Sequence, residues 1–189
     1  MMASERKKQK KWRLKKWVVL VGLPGCGKST LGMSLAKLID TPFYDADIEI
    51  SKASNMKVAE IFTQYGEEEF RRIEERVIAR LLEEKPAILA LGGGAFENEN
   101  TRKLIMDNAF SVWLKVDHDT ILKRVSMRKG RPMFDNTDNP KKLLSELAQK
   151  REPNFAKANI QFIPAEVPLI KVAKALNNVL RRFSLFWRT

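Results

Sequence analysis

Short aliphatic runs alternate along this chain with longer segments in which apolar residues recur at the period of a helix. The short runs predict five strands, at 17–21, 42–44, 87–91, 111–116 and 159–163. The longer segments predict helices near 28–38, 47–53, 58–64, 67–82, 98–107, 120–127, 140–149 and 168–183. Regular alternation of strand and helix is typical of βαβ units. We therefore predict a three-layer α/β fold with a five-stranded, doubly wound parallel sheet.

The domain organisation follows from the features that interrupt this pattern. No segment repeats at the period of a solenoid, and no linker rich in Gly, Ser or Pro divides the chain. We expect residues 17–189 to form one domain. Residues 128–139 include Gly130 and Pro132 and few apolar side chains, which predicts a mobile lid near 126–139.

Positive charge is concentrated at the start of the chain. Eight of the 35 Lys and Arg residues lie within residues 1–17, beside one acidic residue, and the chain carries a net charge of +12. Such dense like charge predicts a disordered basic tail over residues 1–16. Binding of this tail to anionic lipid or nucleic acid, helped by Trp12 and Trp17, is the alternative. Its Lys-rich composition matches organelle-targeting segments poorly.

Hydropathy and cysteine usage predict the compartment. The longest apolar runs have the length of strands, far short of the ~20 residues of a membrane span. The apolar run that follows the basic residues ends at Gly22, which is too short for a signal peptide. The single cysteine, Cys26, cannot form an intramolecular disulfide. We expect a soluble, cytoplasmic protein.

A phosphate-binding motif lies between the first predicted strand and the first predicted helix. Residues 22–29 match G-x-x-x-x-G-K-[ST]. Its glycines let successive backbone N–H groups face one anion, and the helix adds the positive end of its dipole. The motif predicts that Lys28 reaches the phosphates of ATP and that Ser29 ligates Mg²⁺. A glycine-rich turn without a ligand is the alternative, and Cys26 is either a filling side chain or an activated thiol.

Two carboxylates, Asp45 and Asp47, follow the predicted strand at 42–44. Ligands of doubly wound sheets bind beyond the carboxyl ends of the strands. In an extended stretch both side chains would point the same way. One could hold Mg²⁺ through water while the other accepts a proton or hydrogen bond from an acceptor hydroxyl. Alternatively, Asp47 only caps the following helix.

Three consecutive glycines, at 92–94, follow the predicted strand at 87–91. A run of this kind lets a molecule approach the backbone closely. We weigh a substrate held by backbone N–H groups against a tight turn from strand to helix.

Three arginines, Arg71, Arg131 and Arg151, are candidates to bind anionic groups. Glu74 lies one helical turn after Arg71 and could brace it for bidentate contact with a carboxylate, although such pairs also occur on solvated helix faces. Arg131 lies in the predicted lid, where closure over ATP would bring it to the transferring phosphate. Arg151 follows the predicted helix at 140–149 and is either part of the site or a surface residue.

Taken in order, these motifs resemble shikimate kinase, from about residue 18 to about residue 180. The matching segments are 22–32, 43–47, 66–74, 91–95, 131–132 and 151–153. A P-loop alone marks a superfamily, whereas the ordered set is far more specific. The resemblance implies a P-loop NTPase fold of the nucleoside monophosphate kinase type. It also implies transfer of the ATP γ-phosphate to the 3-hydroxyl of shikimate, with Mg²⁺, on the route to aromatic amino acids.

The resemblance further implies roles for individual residues. Asp47 would hold the substrate hydroxyls, Arg71 and Arg151 would grip the substrate carboxylate, and Glu74 would orient Arg71. The residues implied at the nucleotide are Gly25, Cys26, Gly27, Lys28, Ser29, Thr30, Arg124 and Arg131. The glycines Gly92, Gly93 and Gly94 are implied beside the substrate, and Ser29 and Asp45 at the metal. Lys28, Asp47 and Arg131 are implied in catalysis.

Some features depart from the family pattern, and rival functions remain open. Met33 stands where many members have arginine, Asn154-Phe155 replaces the commoner Leu-Tyr, and the basic tail has no counterpart. The rivals are a P-loop kinase for gluconate or a nucleoside monophosphate, an ATP-regulated protein that binds nucleic acid or membranes, and a catalytically inactive relative. We expect a monomer that binds Mg·ATP and shikimate, and no nucleic acid.

Overall fold

Seven strands form two sheets in the computed structural model, which describes residues 12–127, 134 and 137–188. The strands are β1 (Trp12–Leu14), β2 (Trp17–Val21), β3 (Phe43–Asp45), β4 (Ile88–Ala90), β5 (Ala109–Leu114), β6 (Ile160–Phe162) and β7 (Phe186–Arg188). The main sheet has the order β3-β4-β2-β5-β6, and all of its strands are parallel. This arrangement confirms the predicted α/β class and its five strands.

The helices also follow the sequence pattern. They are α1 (Lys28–Ile39), α2 (Ala46–Ser54), α3 (Val58–Leu82), α4 (Glu99–Asn108), α5 (His118–Ser126), α6 (Pro140–Phe155) and α7 (Leu169–Arg182), with a 3₁₀ turn, η1 (Ala95–Glu97). The two helices predicted at 58–64 and 67–82 correspond to α3, which is interrupted at Gly66. Gly66 has φ 79° and ψ 177°, a conformation that residues with a Cβ avoid.

The core lies on both faces of the main sheet. Every residue of β2 is buried, including the successive residues Val18, Val19 and Leu20. Because successive side chains of a strand point to opposite faces, helices must cover both sides. Helix α1 packs with α7, and α3 packs with α4. Within the described residues, none of the helices is both long and apolar enough to span a membrane.

The start of the described chain corrects one prediction. Residues 12–16 were expected to belong to a disordered tail, but β1 pairs antiparallel with β7, and Leu14 lies opposite Phe186. Both of these side chains are buried against the core. Charge density alone could not reveal this pairing, because Leu14 pairs with a residue 172 positions away, in a strand that was not predicted. The tail before residue 12 lies outside the described residues.

Helix α6 corrects a second prediction. It was expected to end at residue 149, but it continues to Phe155, so Arg151 lies within the helix. Pro153 removes one backbone donor near the helix end. Burial of Phe155, which is 1% exposed, holds the last turn in place despite this loss. Of the predicted lid, 128–133 and 135–136 lie outside the described residues, and Phe134 is buried.

Candidate active site

Three loops meet at one edge of the main sheet. Leu20 of β2 and Asp45 of β3 both pair with Ala90 of β4, so these strands end at the same level. The P-loop, the pair Asp45 and Asp47, and the glycines at 92–94 therefore begin side by side. The parallel order of the strands thus brings together the P-loop and the glycine tract, which begin 70 residues apart in the sequence.

The backbone of the P-loop depends on its glycines. Gly22 and Gly27 have φ of 146° and 102°, in the region that favours glycine. A Cβ on Gly22 would lie 2.8 Å from the backbone oxygen of Leu114. Gly27 is the N-cap of α1 and supplies no side-chain acceptor, so the N–H groups of the first turn stay available to an anion.

The side chain of Lys28 lies beneath the P-loop and contacts its backbone. Its Nζ donates to the backbone oxygens of Gly22 at 2.9 Å and Leu23 at 3.1 Å. These bonds hold the ammonium group under the loop, near the position that the motif assigns to a phosphate. Cys26 is 2% exposed, and its Sγ lies 3.9 Å from Lys28 Nζ. Such burial favours the interpretation of Cys26 as a filling side chain.

Asp45 connects the P-loop to α2. Its Oδ2 accepts a hydrogen bond from Ser29 Oγ at 2.6 Å, and its Oδ1 accepts one from the backbone N–H of Asp47 at 3.1 Å. Asp45 is therefore the N-cap of α2, and the alternative in which Asp47 caps this helix is wrong. A hydroxyl and a carboxylate oxygen this close are the hard donors that suit Mg²⁺.

Asp47 lies in the first turn of α2, not in the extended stretch that was expected. Its Oδ1 would be 2.9 Å from a Cβ on Gly92, so the absence of a side chain there makes room for it. Water exclusion raises the pKa of Asp47, and the nearby charge of Asp45 adds to this effect. Lys28 and Arg71 act in the opposite direction. The side chain nevertheless retains access to solvent.

Arg71 is held by two carboxylates of α3. Its Nη1 donates to Glu74 Oε2 at 2.6 Å, and its Nη2 donates to Glu67 Oε1 at 3.1 Å. Its guanidinium occupies the space that a Cβ on Gly94 would need. Burial acts to lower the pKa of Arg71, but Glu74 and Glu67 outweigh it and the pKa rises. Arg71 therefore remains charged with a fixed orientation.

Glu74 is a buried charge at the centre of this group, with 1% exposure. Burial raises its pKa, although Arg71 acts to lower it. Its Oε1 is buried without a hydrogen-bond partner among the described residues. A Cβ on Gly92 would lie 3.2 Å from this oxygen. Glu74 and Asp47 thus face the same glycine.

Arg151 reaches the glycine tract from α6. Its Nη1 would lie 3.0 Å from a Cβ on Gly93, which also faces Pro24 of the P-loop. Among the described residues Arg151 makes no ion pair, and its Nε is buried without a partner. Burial lowers the pKa of Arg151; Glu97 opposes this effect and Arg71 adds to it. Two guanidiniums therefore cover adjacent glycines.

A cavity of about 640 Å³ lies beside the P-loop. Its lining includes Gly25, Cys26, Gly27, Thr30 and Arg124, as the resemblance implied for the nucleotide site. Arg124 Nη1 donates to the backbone oxygen of Cys26 at 3.0 Å. Sequence reasoning missed the opposite wall, which residues 164–169 form after β6. The prolines at 164 and 168 could have marked it as a loop at a strand end. Arg131 lies outside the described residues.

Comparison with known proteins decides the family. The sequence model of the family described as shikimate kinase matches residues 24–180. The chain belongs to the shikimate kinase family. A shikimate kinase from Bartonella henselae is 49% identical over 143 residues, which is 76% of this chain and 68% of that one. One from Caulobacter vibrioides is 46% identical over 167 residues, which is 88% and 83% of the two chains.

A solved structure of the shikimate kinase family supports the same assignment. Shikimate kinase from Acinetobacter baumannii in complex with shikimate superposes with a TM-score of 0.83 at 29% identity, covering 90% of this chain and 95% of that chain. The resemblance inferred from the ordered motifs is confirmed, as are the P-loop kinase fold and the phosphotransferase class. The rival acceptors and the binding-protein alternative are not favoured.

Proposed function

We propose that this chain transfers the γ-phosphoryl group of ATP to the 3-hydroxyl of shikimate, with Asp47, Arg71 and Arg151 holding the acceptor. One observation carries the assignment of the acceptor site: the guanidiniums of Arg71 and Arg151 cover adjacent glycines beside the carboxylate of Asp47. A ring with a carboxylate at one end and hydroxyls at the other fits this arrangement. Cations meet the carboxylate and an acceptor meets the hydroxyls.

The glycines give this acceptor site its depth. A Cβ at Gly92, Gly93 or Gly94 would lie within 3.0 Å of Asp47, Arg151 or Arg71 respectively. Because glycine leaves this space open, we assign the backbone of residues 92–94 to the floor of the acceptor site. Arg71 contributes a fixed guanidinium, since Glu74 and Glu67 set its orientation.

The nucleotide and metal assignments rest on the P-loop. We assign the phosphates to the N–H groups of residues 25–30 and to Lys28, and the adenosine to the cavity beside Arg124. Ser29 Oγ and Asp45 Oδ2, which are 2.6 Å apart, would hold Mg²⁺. When bound, Mg²⁺ neutralises charge on the transferring phosphates. A role of Arg131 in neutralising the same phosphate charge remains a prediction.

Phosphoryl transfer depends mainly on how the protein positions the reactants and stabilises the developing charge. Asp47 accepts a hydrogen bond from the 3-hydroxyl and aims its oxygen at the γ-phosphorus. Its raised pKa makes it a better proton acceptor than a free aspartate. As the new P–O bond forms and the bond to ADP breaks, the hydroxyl proton moves toward Asp47. Lys28 stabilises the charge that develops on the phosphates.

An assay of ADP release tests this function with Mg·ATP and three acceptors: shikimate, gluconate and AMP. We expect turnover with shikimate and none above background with the other two. Turnover with gluconate instead would keep the nucleotide assignment but contradict the acceptor site. Omission of Mg²⁺ should abolish turnover, and its addition should restore it. A cytoplasmic location and a monomeric state remain predictions.

A further inference from the structure

The contact between η1 and α6 contains polar groups that the reaction described above does not use. Glu97, at the end of η1, accepts a hydrogen bond at Oε2 from Asn154 Nδ2 of α6, at 3.2 Å. Its other oxygen, Oε1, is buried with no hydrogen-bond partner among the described residues. One turn before Asn154 on α6 lies Arg151, whose Nε is also buried without a partner. An orphan acceptor and an orphan donor thus lie at the same contact.

Glu97 is joined rigidly to the glycine tract. Its backbone N–H donates to the backbone oxygen of Gly94 at 3.1 Å. Arg102 Nη1 donates to the backbone oxygens of Phe96 and Glu97, at 2.9 and 3.1 Å. Any movement of Glu97 relative to α6 would therefore move Arg151 relative to the floor of the acceptor site.

Hydrophobic packing alone does not explain why the polar pair Glu97 and Asn154 lies at this contact. Phe96 and Phe155 lie at the same contact, with ring centroids 6.5 Å apart, and both are essentially fully buried. They already hold η1 against α6. A buried carboxylate oxygen without a partner costs stability, and its presence indicates a state of the molecule in which the oxygen has a partner.

We propose that Glu97 is a positioning residue for Arg151, acting through Asn154 and through its own Oε1. Glu97 and Asn154 fix the rotation of α6, and Oε1 accepts from Nε–H of Arg151, directly or through one water, when the substrate carboxylate engages the Nη groups. This proposal rests on the proposed function, because it takes Arg151 as a ligand of the acceptor carboxylate.

Electrostatics supports this geometry. Arg71 has two carboxylate partners, whereas Arg151 has no ion pair among the described residues and lies beside the positive charge of Arg71. Glu97 is the carboxylate that acts most strongly on Arg151, and it raises the pKa that burial lowers. Without this charge, the like charge of Arg71 would push the Arg151 guanidinium away from Gly93.

Steady-state kinetics of the full chain test the proposal. We expect Glu97→Gln to raise the KM for shikimate by about tenfold, because a hydrogen bond to a charged group is lost. The KM for ATP and kcat should stay within twofold of the original chain. Glu99→Gln, a change of an exposed carboxylate two positions later, is the matched control and should alter neither KM. Asn154→Ala should act like Glu97→Gln and serves if that variant does not fold.

A double-mutant cycle with Arg151→Lys separates the possible outcomes. If Glu97 acts through Arg151, Glu97→Gln should change the KM for shikimate by less than twofold in the Arg151→Lys background. Equal effects in both backgrounds would overturn the positioning role, as would a KM for the Glu97→Gln single variant within twofold of the original chain. If Arg151→Lys itself leaves the KM for shikimate unchanged, the acceptor-site assignment fails instead, and the positioning role fails with it.

Discussion

At the scale of single residues, the site places charges that are costly to bury where the reaction needs them. Asp47 has a raised pKa because water is partly excluded and Asp45 is near. A raised carboxylate pKa means that ionised Asp47 destabilises the folded chain above that pKa. We infer that Asp47 is retained for function at the expense of stability.

Replacement of Asp47 by Asn should separate these two effects. We expect kcat to fall by about 10²–10⁴-fold, because the acceptor of the hydroxyl proton is lost. The midpoint of thermal unfolding should rise at pH 7 and match that of the original chain at a pH below the unfolded pKa of ~3.9, where Asp47 is neutral. Asp107→Asn, on an exposed face of α4, is the control. Retention of kcat within a few-fold would contradict the role of Asp47.

The pH dependence of catalysis follows from the same shift. In the proposed mechanism Asp47 must be ionised to accept the proton, so kcat/KM for shikimate should fall as the pH drops through its raised pKa. The midpoint of this acid limb should therefore lie above the ~3.9 of a free aspartate. A pH–rate profile measures it. A limb at or below that value would show that the environment of Asp47 does not raise its pKa.

Arg71 offers a test of geometry against charge. Arg71→Lys keeps the positive charge but cannot hold Glu74, Glu67 and a substrate carboxylate at once. We expect the KM for shikimate to rise by about tenfold or more, with the KM for ATP little changed. Arg72→Lys, on the exposed side of the same helix, is the matched control. An unchanged KM for shikimate would contradict the carboxylate assignment.

At the scale of elements, the small sheet of β1 and β7 attaches both ends of the described chain to the core. Leu14 and Phe186 lie opposite each other and are buried. Lys15 N donates to the backbone oxygen of Leu185 at 2.8 Å, which extends the pairing. This sheet lies apart from the three loops of the active site, so it should contribute to stability and not to catalysis.

Truncation of Leu14 tests this division. Leu14→Ala should lower the free energy of unfolding by about 2–4 kcal/mol, the usual cost of emptying a buried leucine site. Both KM values should stay unchanged at a temperature where the variant is folded. Arg13→Ala, at the neighbouring exposed position, should have little effect on stability. Denaturant unfolding, with kinetics on the same samples, provides the measurements.

At the scale of the whole molecule, the described fold begins earlier in the chain than charge density suggested. Deletion of residues 1–11 should leave kcat/KM within twofold, because the described fold and its site begin at residue 12. Deletion of residues 1–16 should lower the midpoint of thermal unfolding, since it removes β1. Loss of turnover in the shorter deletion would show that the tail takes part in catalysis.

The sequence by itself determined the class of this protein. The P-loop, with its glycines and Lys28, and the ordered motifs that follow consist of particular residue types at short spacing. They can therefore be recognised without a structure. Strand and helix positions were predictable for the same reason, because hydrophobic periodicity is local. The pairing of Glu74 with Arg71 was also predictable, as the two lie one helical turn apart.

Tertiary structure decided what depends on distant residues. The pairing of β1 with β7 and the hydrogen bond from Ser29 to Asp45 could not be read from local patterns. The continuation of α6 past Pro153 depends on the burial of Phe155 in the core. Arg151 and Glu97 are 54 positions apart, and only the packing of α6 on η1 brings them to one contact. Such contacts result from the arrangement of whole elements, which local spacing does not determine.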